Sequence, residues 1–429
     1  MGSATSRDMI RHKFAIRTGV FAVTLSVIFS LEAKAQQPFT WEQIRQKFEL
    51  SNPTLRAAQM NVDEARASEI TAYLRPNPDF TAGIDQLDPI TPNPYRPLAY
   101  TLPLISGSYL HERGGKRELR RDSARQATTI AEVNVLDTRR TLLFTLRNAF
   151  VQALQAKAVL QLANENLSYY DDLLRLNRER FRAGDIAQID VERLELQRVQ
   201  YVTDVTNATV SVRTAKIQLL QLLIDRTPIE QFDVAGAFDF NDGIQPLEEL
   251  RNIALETRPD LKVAMRTVEK AQTDHKLAVA NGSVDPTFGA DAGRNPPISA
   301  YFGFNVSIPL RIFDRNQGEK ARTEIDVRRT EKLRDATEAQ VFSDVDSAYA
   351  TLTGTLNLLR PYKATYLAQA ERIRDTVSFM YERGAASLLD FLNAQNDYRT
   401  TQLNYRNLVG SYLTAANQLN LAVGREVVQ

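Results

Sequence analysis

Two aspartates at equivalent places in the chain have the plainest capacity for chemistry. Asp190 ends the stretch FRAGDIAQID and Asp390 ends YERGAASLLD, each a few residues beyond a glycine, Gly184 or Gly384. A carboxylate at a turn can attract a cation, or it can accept hydrogen bonds from a helix start. Ser387-Leu388-Leu389-Asp390 has the spacing of a capping box, so the second role is open to Asp390. Other chemistry finds little footing. The absence of cysteine excludes thiol nucleophiles, thiolate metal sites, disulfides and an acylated lipoprotein N-terminus. His111 and His275 stand far apart, outside HExxH or any paired-ligand pattern, and each reads as a surface or loop histidine. There is no phosphate-binding glycine loop and no G-x-S-x-G. The expectation is a protein that is not an enzyme, with no catalytic residue, no cofactor and no metal site.

The elements that carry these turns come in two copies. Residues 181–224 match 381–424 at a constant offset, with identities Gly184/Gly384, Asp190/Asp390, Asn207/Asn407, Ser211/Ser411, Thr214/Thr414, Ala215/Ala415, Gln218/Gln418 and Leu219/Leu419. Upstream, NPTLRAAQMNVDEARA (52–67) corresponds to RPDLKVAMRTVEKAQ (258–272), and Pro103-Leu104 to Pro309-Leu310. A repeat this long means two similar halves rather than a solenoid. The expected organisation is a signal peptide at 1–35 and a first repeat at 36–226. A linker at 227–246, a second repeat at 247–424 and a short tail at 425–429 follow.

Each half opens with an amphipathic helix. Thr40-Trp41-Glu42-Gln43 is a capping-box start, Pro246 suits a first turn, and Pro53 and Pro259 each suit the first position of a second helix. A pair of strands comes next. In ISAYFGFNVSI (298–308) Ile298, Ala300, Phe302, Phe304, Val306 and Ile308 point one way; Tyr301, Asn305 and Ser307 point the other. In the first half Leu98, Tyr100, Leu102 and Leu104 alternate likewise, with Phe80, Ala82, Ile84 and Phe288, Ala290, Ala292 as shorter partners. Loops are expected at 85–97 and 293–297, giving hairpins at about 78–107 and 285–310. Helical patterns then run from about Gly115 to Arg182 and from about Gly318 to Glu382. A seam of Leu146, Ala149, Ala153, Ala156, Leu160, Ala163, Leu167, Tyr170 and Leu174 steps by threes and fours. Such a helix spans on the order of 100 Å. Pro361 must kink or break the second copy. Returning helices at 188–225 and 387–422 complete two long hairpins.

The chain is exported on this reading. Arg7, Arg11, Lys13 and Arg17 precede an apolar run from Gly19 to Leu31, and Ala33-Lys34-Ala35 is an A-x-A cleavage site. Met1 and Met9 both remain as start residues. With 53 basic and 52 acidic residues the charges nearly cancel, so no nucleic-acid partner is expected. Four amphipathic strands cannot balance such helices in a soluble sandwich, and four cannot close a barrel in lipid, which takes roughly eight or more. They suit one share of an oligomeric tube, with Phe302, Phe304, Val306 and Ile308 toward lipid and Tyr301, Asn305 and Ser307 toward the lumen.

The duplicated plan, the NPTLRAA and RPDLKVA helix starts, the passage VSIPLRIFDRNQGEKARTE and the turn RGAASLLDFLNAQNDY resemble the outer-membrane efflux protein family typified by TolC. FDRNQGEKA, with GGKRELRR at 114–121, is more similar to the heavy-metal efflux branch. The resemblance spans essentially the whole mature chain. It implies a mainly α fold with a small β part. Long antiparallel coiled-coil hairpins form a periplasmic α-barrel, and four strands per chain contribute to a 12-stranded barrel in a homotrimer. It implies a passive duct in the Gram-negative outer membrane, docked on a periplasmic adaptor and an inner-membrane pump of RND type. Heavy-metal cations, organic toxicants or polypeptides would all pass a wide polar lumen, with selection belonging to the pump and the metal-efflux branch pointing to the first.

Adaptor contact would fall on the turns Gly184, Asp185, Ile186, Ala187 and Gly384, Ala385, Ala386, Ser387. Asp390 corresponds to a position whose carboxylates ring the narrow tip. A second gate carboxylate one turn along is Asn393 here. A link between protomers through Tyr381 and Asp190 is also implied, while Tyr381 equally suits a seam aromatic. A further basic-to-hydroxyl link is missing, with Ala386 and Ile189 at its positions, so a less tethered closed state is expected. The alternatives are a periplasmic coiled-coil adaptor or structural protein of an export complex, and a secreted hydrolase or binding protein.

Overall fold

Each half starts with two short helices separated by a single bent residue. The computed structural model describes residues 38–87, 90, 101–295 and 297–428, so the signal-peptide segment, Leu98 and Tyr100 lie outside the described residues. Helix α1 (Trp41–Ser51) begins where the Gln43 side chain accepts from the Thr40 N–H at 2.9 Å. Asn52 ends it in an extended conformation, then caps α2 (Pro53–Tyr73) by accepting from the Leu55 N–H at 3.0 Å. Pro53 takes the first position of α2, where its missing N–H costs nothing.

The two long hairpins follow from coiled-coil periodicity and end at left-handed glycines. Helix α3 (Lys116–Ala183) runs 68 residues without a break, and α4 (Gln188–Leu223) returns along it. Seam residues Leu146, Ala149, Ala153, Ala163, Tyr170 and Leu174 are buried, as the three-four spacing requires. In the second half, α5 (Leu247–Thr257) and α6 (Pro259–Asn281) repeat the opening helices. Pro246 is the cap of α5, one place before the first turn expected for it. Its carbonyl accepts from Glu249 and Leu250.

Helix α7 (Gln317–Pro361) passes through a π-turn (Tyr362–Tyr366) into α8 (Leu367–Glu382), and α9 (Leu388–Val423) returns. Pro361 therefore ends one helix without reversing the chain. The wider turn begins directly after the proline, whose ring and missing N–H disturb the turn before it.

Between these lies one antiparallel sheet of four strands in sequential order, β1 (Asp79–Asp85), β2 (Leu102–Leu110), β3 (Thr287–Asn295) and β4 (Ile298–Ser307). The register joins the two halves through β2 and β3. Paired residues share a face, so one face collects Phe80, Ala82, Ile84, Ile105, Phe288, Ala290, Ala292, Phe302, Phe304 and Val306. The other carries Asp79, Thr81, Asp85, Asp291, Tyr301, Asn305 and Ser307.

Two expectations are corrected here. β2 starts at Leu102, and Leu102 and Leu104 pair with Asp85 and Gly83, placing them on the polar face. Pro103, Ile105, Gly107 and Tyr109 take the apolar face instead. In the second half, the segment expected as a loop at 293–297 is strand as far as Asn295, with a bulge between Gly293 and Asn295.

Large polar side chains on the polar face stand opposite glycines. A Cβ on Gly289 would lie 2.5 Å from Asn305 Oδ1, and one on Gly303 would lie 2.7 Å from Asp291 Oδ1. This small-against-large pairing leaves room for polar side chains on that face.

Among the described residues three buried clusters hold the helices. One joins α5, α7 and α9 around Leu352, Leu359, Val409, Tyr412 and Leu419. Its counterpart joins α1, α3, α4 and the linker around Phe48, Leu146, Leu219 and Phe232. The third lies at the turn end and is described below.

The end of α4 is also tied to α1, where the Lys47 ammonium donates to Asp225, whose carboxylate accepts from Thr227 Oγ1 at 2.7 Å as well. The bond from Lys47 leads the causes holding the Asp225 carboxyl below the usual carboxylate range, with burial opposing it. A depressed folded pKa stabilises above the unfolded value and is lost as pH falls through the folded one. Asp225→Asn is therefore expected to lower the unfolding temperature at pH 7 and to lower it less at pH 3. Thermal unfolding of both proteins at the two pH values checks this.

Candidate functional site

Both hairpin turns are built on the same backbone bonds. Gly184 has φ +86° and Gly384 has φ +72°, a region costly for any residue with a Cβ. Asp185 N donates to Arg180 O at 2.9 Å and Ala385 N to Met380 O at 2.8 Å, the long bond of a Schellman turn. Asp185, Ala187, Ala385 and Ser387 are exposed, and Ile186 and Ala386 are half-buried.

The copies then differ. Ser387 forms a capping box with Asp390: Asp390 N donates to Ser387 Oγ at 3.1 Å, and Ser387 Oγ donates to Asp390 Oδ2 at 2.7 Å. Ala187 offers no side-chain cap to α4, and the Asp190 carboxylate is not used as one. Asp390 and Asn393 are both exposed, and Asp190 is half-buried.

Tyr381 belongs to the packed interior of the turn end. It is 7% exposed, stacks on Phe391 with centroids 4.8 Å apart, and donates its hydroxyl to Asn177 Oδ1 at 3.2 Å. Burial pushes its pKa up; the Arg180 guanidinium opposes this and the Asp190 carboxylate adds to it. The structure thus brings Tyr381 and Asp190 near one another within a single chain, while the Tyr381 hydroxyl is spent on Asn177.

The rest of that cluster is Tyr170, Leu173, Leu174, Leu194, Tyr201 and Phe391. Tyr170 and Tyr201 stack at 4.4 Å, Tyr170 donates to Leu194 O at 3.0 Å, and burial pushes Tyr201 up to about 12. Arg399 of α9 pairs with Asp204 of α4, and Arg198 pairs with Asp171 across the first hairpin at 2.5 Å. Asn177 was not singled out from sequence, although it continues the buried seam three residues past Leu174. The ion pairs carry no local signal at all. His275 sits on a helix rather than in a loop, half-buried, with Nδ1 2.9 Å from Thr323 Oγ1.

At the opposite end Phe302 and Phe304 are 83% and 88% exposed, and Val306 and Ile308 are also open to solvent. The strands β1 and β4 are each paired on one side only. The helices repeat this incompleteness. Near the sheet they lie in the order α2, α3, α6, α7; near the turns in the order α4, α3, α9, α8. The outer helix α4 exposes Ile189, Leu196, Val199, Val210 and Ile217 at heptad spacing, and α8 exposes Ile373, Phe379 and Met380. No described helix is long and apolar enough to cross a membrane.

A wall of helices under an open antiparallel sheet, apolar on one face and with unpaired edge strands, is not closed within one chain. The family model described as outer membrane efflux protein matches residues 107–224 and 250–425, and the chain belongs to that family. It is 24% identical to the cobalt-zinc-cadmium resistance protein CzcC of Cupriavidus metallidurans, over 96% of each chain. The solved channel CusC superposes with a TM-score of 0.74 at 18% identity, covering 90% of this chain and 92% of that one. VceC of Vibrio cholerae does so at 0.73 and 16%, covering 90% and 96%. The protein is therefore a TolC-like efflux channel of the Gram-negative outer membrane, a transporter and not an enzyme.

Proposed function

We propose that three copies of this chain close into one duct that carries heavy-metal cations from a tripartite pump to the cell exterior. The observation that carries it is the pair of unlike free edges at every level: β1 and β4, α2 and α7, α4 and α8. Unlike edges pair head to tail, and such pairing ends only in a ring. Eight strands would leave an interior that side chains fill, whereas the twelve of a trimer leave water inside. Phe302, Phe304, Val306 and Ile308 then meet lipid. The turns at Gly184 and Gly384, with their neighbours Asp185, Ile186, Ala187, Ala385, Ala386 and Ser387, meet a periplasmic adaptor. An inner-membrane pump of RND type supplies the energy. The signal peptide at 1–35 takes the chain across the inner membrane. Likeness to a cobalt-zinc-cadmium resistance protein supports the cargo.

At the tip, Asp390 offers a second oxygen that its capping role leaves free, since Ser387 engages only Oδ2. Three such carboxylates converging on the axis hold cations and repel one another. Asn393 adds no charge, so one acidic ring acts alone. Tyr381 and Asp190 set how tightly the hairpins close around it.

Cross-linking and fractionation test the assembly: heat-modifiable trimers in the outer membrane are expected, and a soluble periplasmic monomer would sink it. In planar bilayers Asp390→Asn channels are expected to lose most of their block by divalent cations; unchanged block removes Asp390 from the gate. Resistance profiling with metals against organic toxicants, in cells lacking and regaining the protein, decides the cargo.

A further inference from the structure

The cleft where α3 meets α9 holds more positive charge than the fold uses. Its volume is about 500 Å³, and α1, the middle of α3, the start of α6 and the end of α9 wall it. It lies inside the chain's helical wall rather than on a free edge. Arg45, Arg139, Arg140, Arg147 and Arg425 line it against a single acid, Glu426. Three of these arginines are occupied. Arg45 pairs with Glu42 at 2.7 Å and Arg139 with Glu49 at 2.6 Å. Arg140 pairs with Asp137 at 2.7 Å and donates to Leu421 O at 2.8 Å.

Arg147 and Arg425 are not occupied: among the described residues neither guanidinium has an ion-pair or hydrogen-bond partner. Arg147 lies over the ring of Trp41 at 4.5 Å, and Trp41 lines the same cleft. The indole Nε1 of Trp41 is buried with no acceptor. Burial pulls the Arg147 pKa down, the nearby Glu426 and Glu42 charges opposing it.

Partly burying a guanidinium with no ion-pair or hydrogen-bond partner in contact, beside an unsatisfied N–H, is costly unless an acceptor arrives. The guanidinium fork matches the oxygens of a carboxylate or phosphate, and the volume suits a small molecule. We propose that this cleft binds a small multivalent oxyanion, a polycarboxylate or a phosphate compound, held by Arg147 and Arg425 beside Trp41.

The chain has one tryptophan, so its emission reports on this cleft alone. The test is calorimetric titration of citrate and of inorganic phosphate into the purified full-length protein in detergent, at matched chloride ionic strength, with Trp41 fluorescence followed in parallel. Saturable heat accompanied by a saturable fluorescence change is expected. Arg147→Met should weaken binding at least tenfold. Arg425→Gln, at an exposed position that the fold does not depend on, should weaken it severalfold. Binding of citrate alone assigns a polycarboxylate, and binding of phosphate assigns a phosphate compound. No saturable heat with either anion, heat without a Trp41 response, or affinities unchanged in Arg425→Gln would overturn the proposal.

Discussion

Phe304→Arg is expected to remove the protein from the outer membrane and return it as periplasmic aggregate or degraded chain. Phe304 is 88% exposed midway along the edge strand β4, on an apolar face that runs across all four strands. Among the described residues nothing covers that face, and in the proposed barrel it meets lipid. An arginine on the lipid side of a barrel costs about 2–4 kcal/mol at the bilayer midplane. The proposed trimer would repeat the cost in each protomer, enough to erase the margin of a protein of ordinary stability. Ser307→Asp is the control. Ser307 lies on the opposite face, paired with Thr287, and an aspartate there would face water. Membrane fractionation of the two variants checks the orientation of the sheet. Equal insertion of both would show that the apolar face is not the lipid face.

Tyr381→Ala is expected to open the turn end. The buried ring stacks on Phe391, and its hydroxyl satisfies Asn177, which is itself 1% exposed. Truncating a buried aromatic costs about 3–5 kcal/mol, here within the one cluster that joins the two hairpins near their turns. Single-channel conductance should rise severalfold while the proposed trimer persists, because the clusters around Leu352 and Phe48 are untouched. Tyr381→Phe keeps the ring and strips Asn177 Oδ1 of its donor, a loss of about 1–3 kcal/mol. A smaller rise in conductance is expected from it. Currents equal to the parent in both variants would remove Tyr381 from the closure of the tip.

Much of this architecture is legible because coiled-coil seams and duplicated turns are local. The seam from Leu146 to Leu174 is buried at most of the positions that its spacing marks. The glycines at 184 and 384 take left-handed backbones because only glycine does so without cost. The parity of β2 was not legible, for a physical reason. Its apolar face carries Pro103 and Gly107, while its polar face carries Leu102, Leu104 and Leu110, so hydropathy alone favours the wrong face. Register is set by pairing with β1 and β3, and a slip of one residue turns every side chain over. Tyr381 had two readings in the sequence, and only the packing of Phe391 and Asn177 around it shows where its hydroxyl goes.

The sequence by itself determined the duplication, the long hairpins, their turns and one strand with an apolar face, since each depends on periodicity within a short window. Only the tertiary structure decided which residues share a face and which charges find partners. It shows Asp390 engaged in a cap, Arg399 joined to Asp204 across the hairpins, and Arg147 set over Trp41 without an acceptor. Those outcomes depend on residues far apart in the chain, and no local pattern encodes a distance in space.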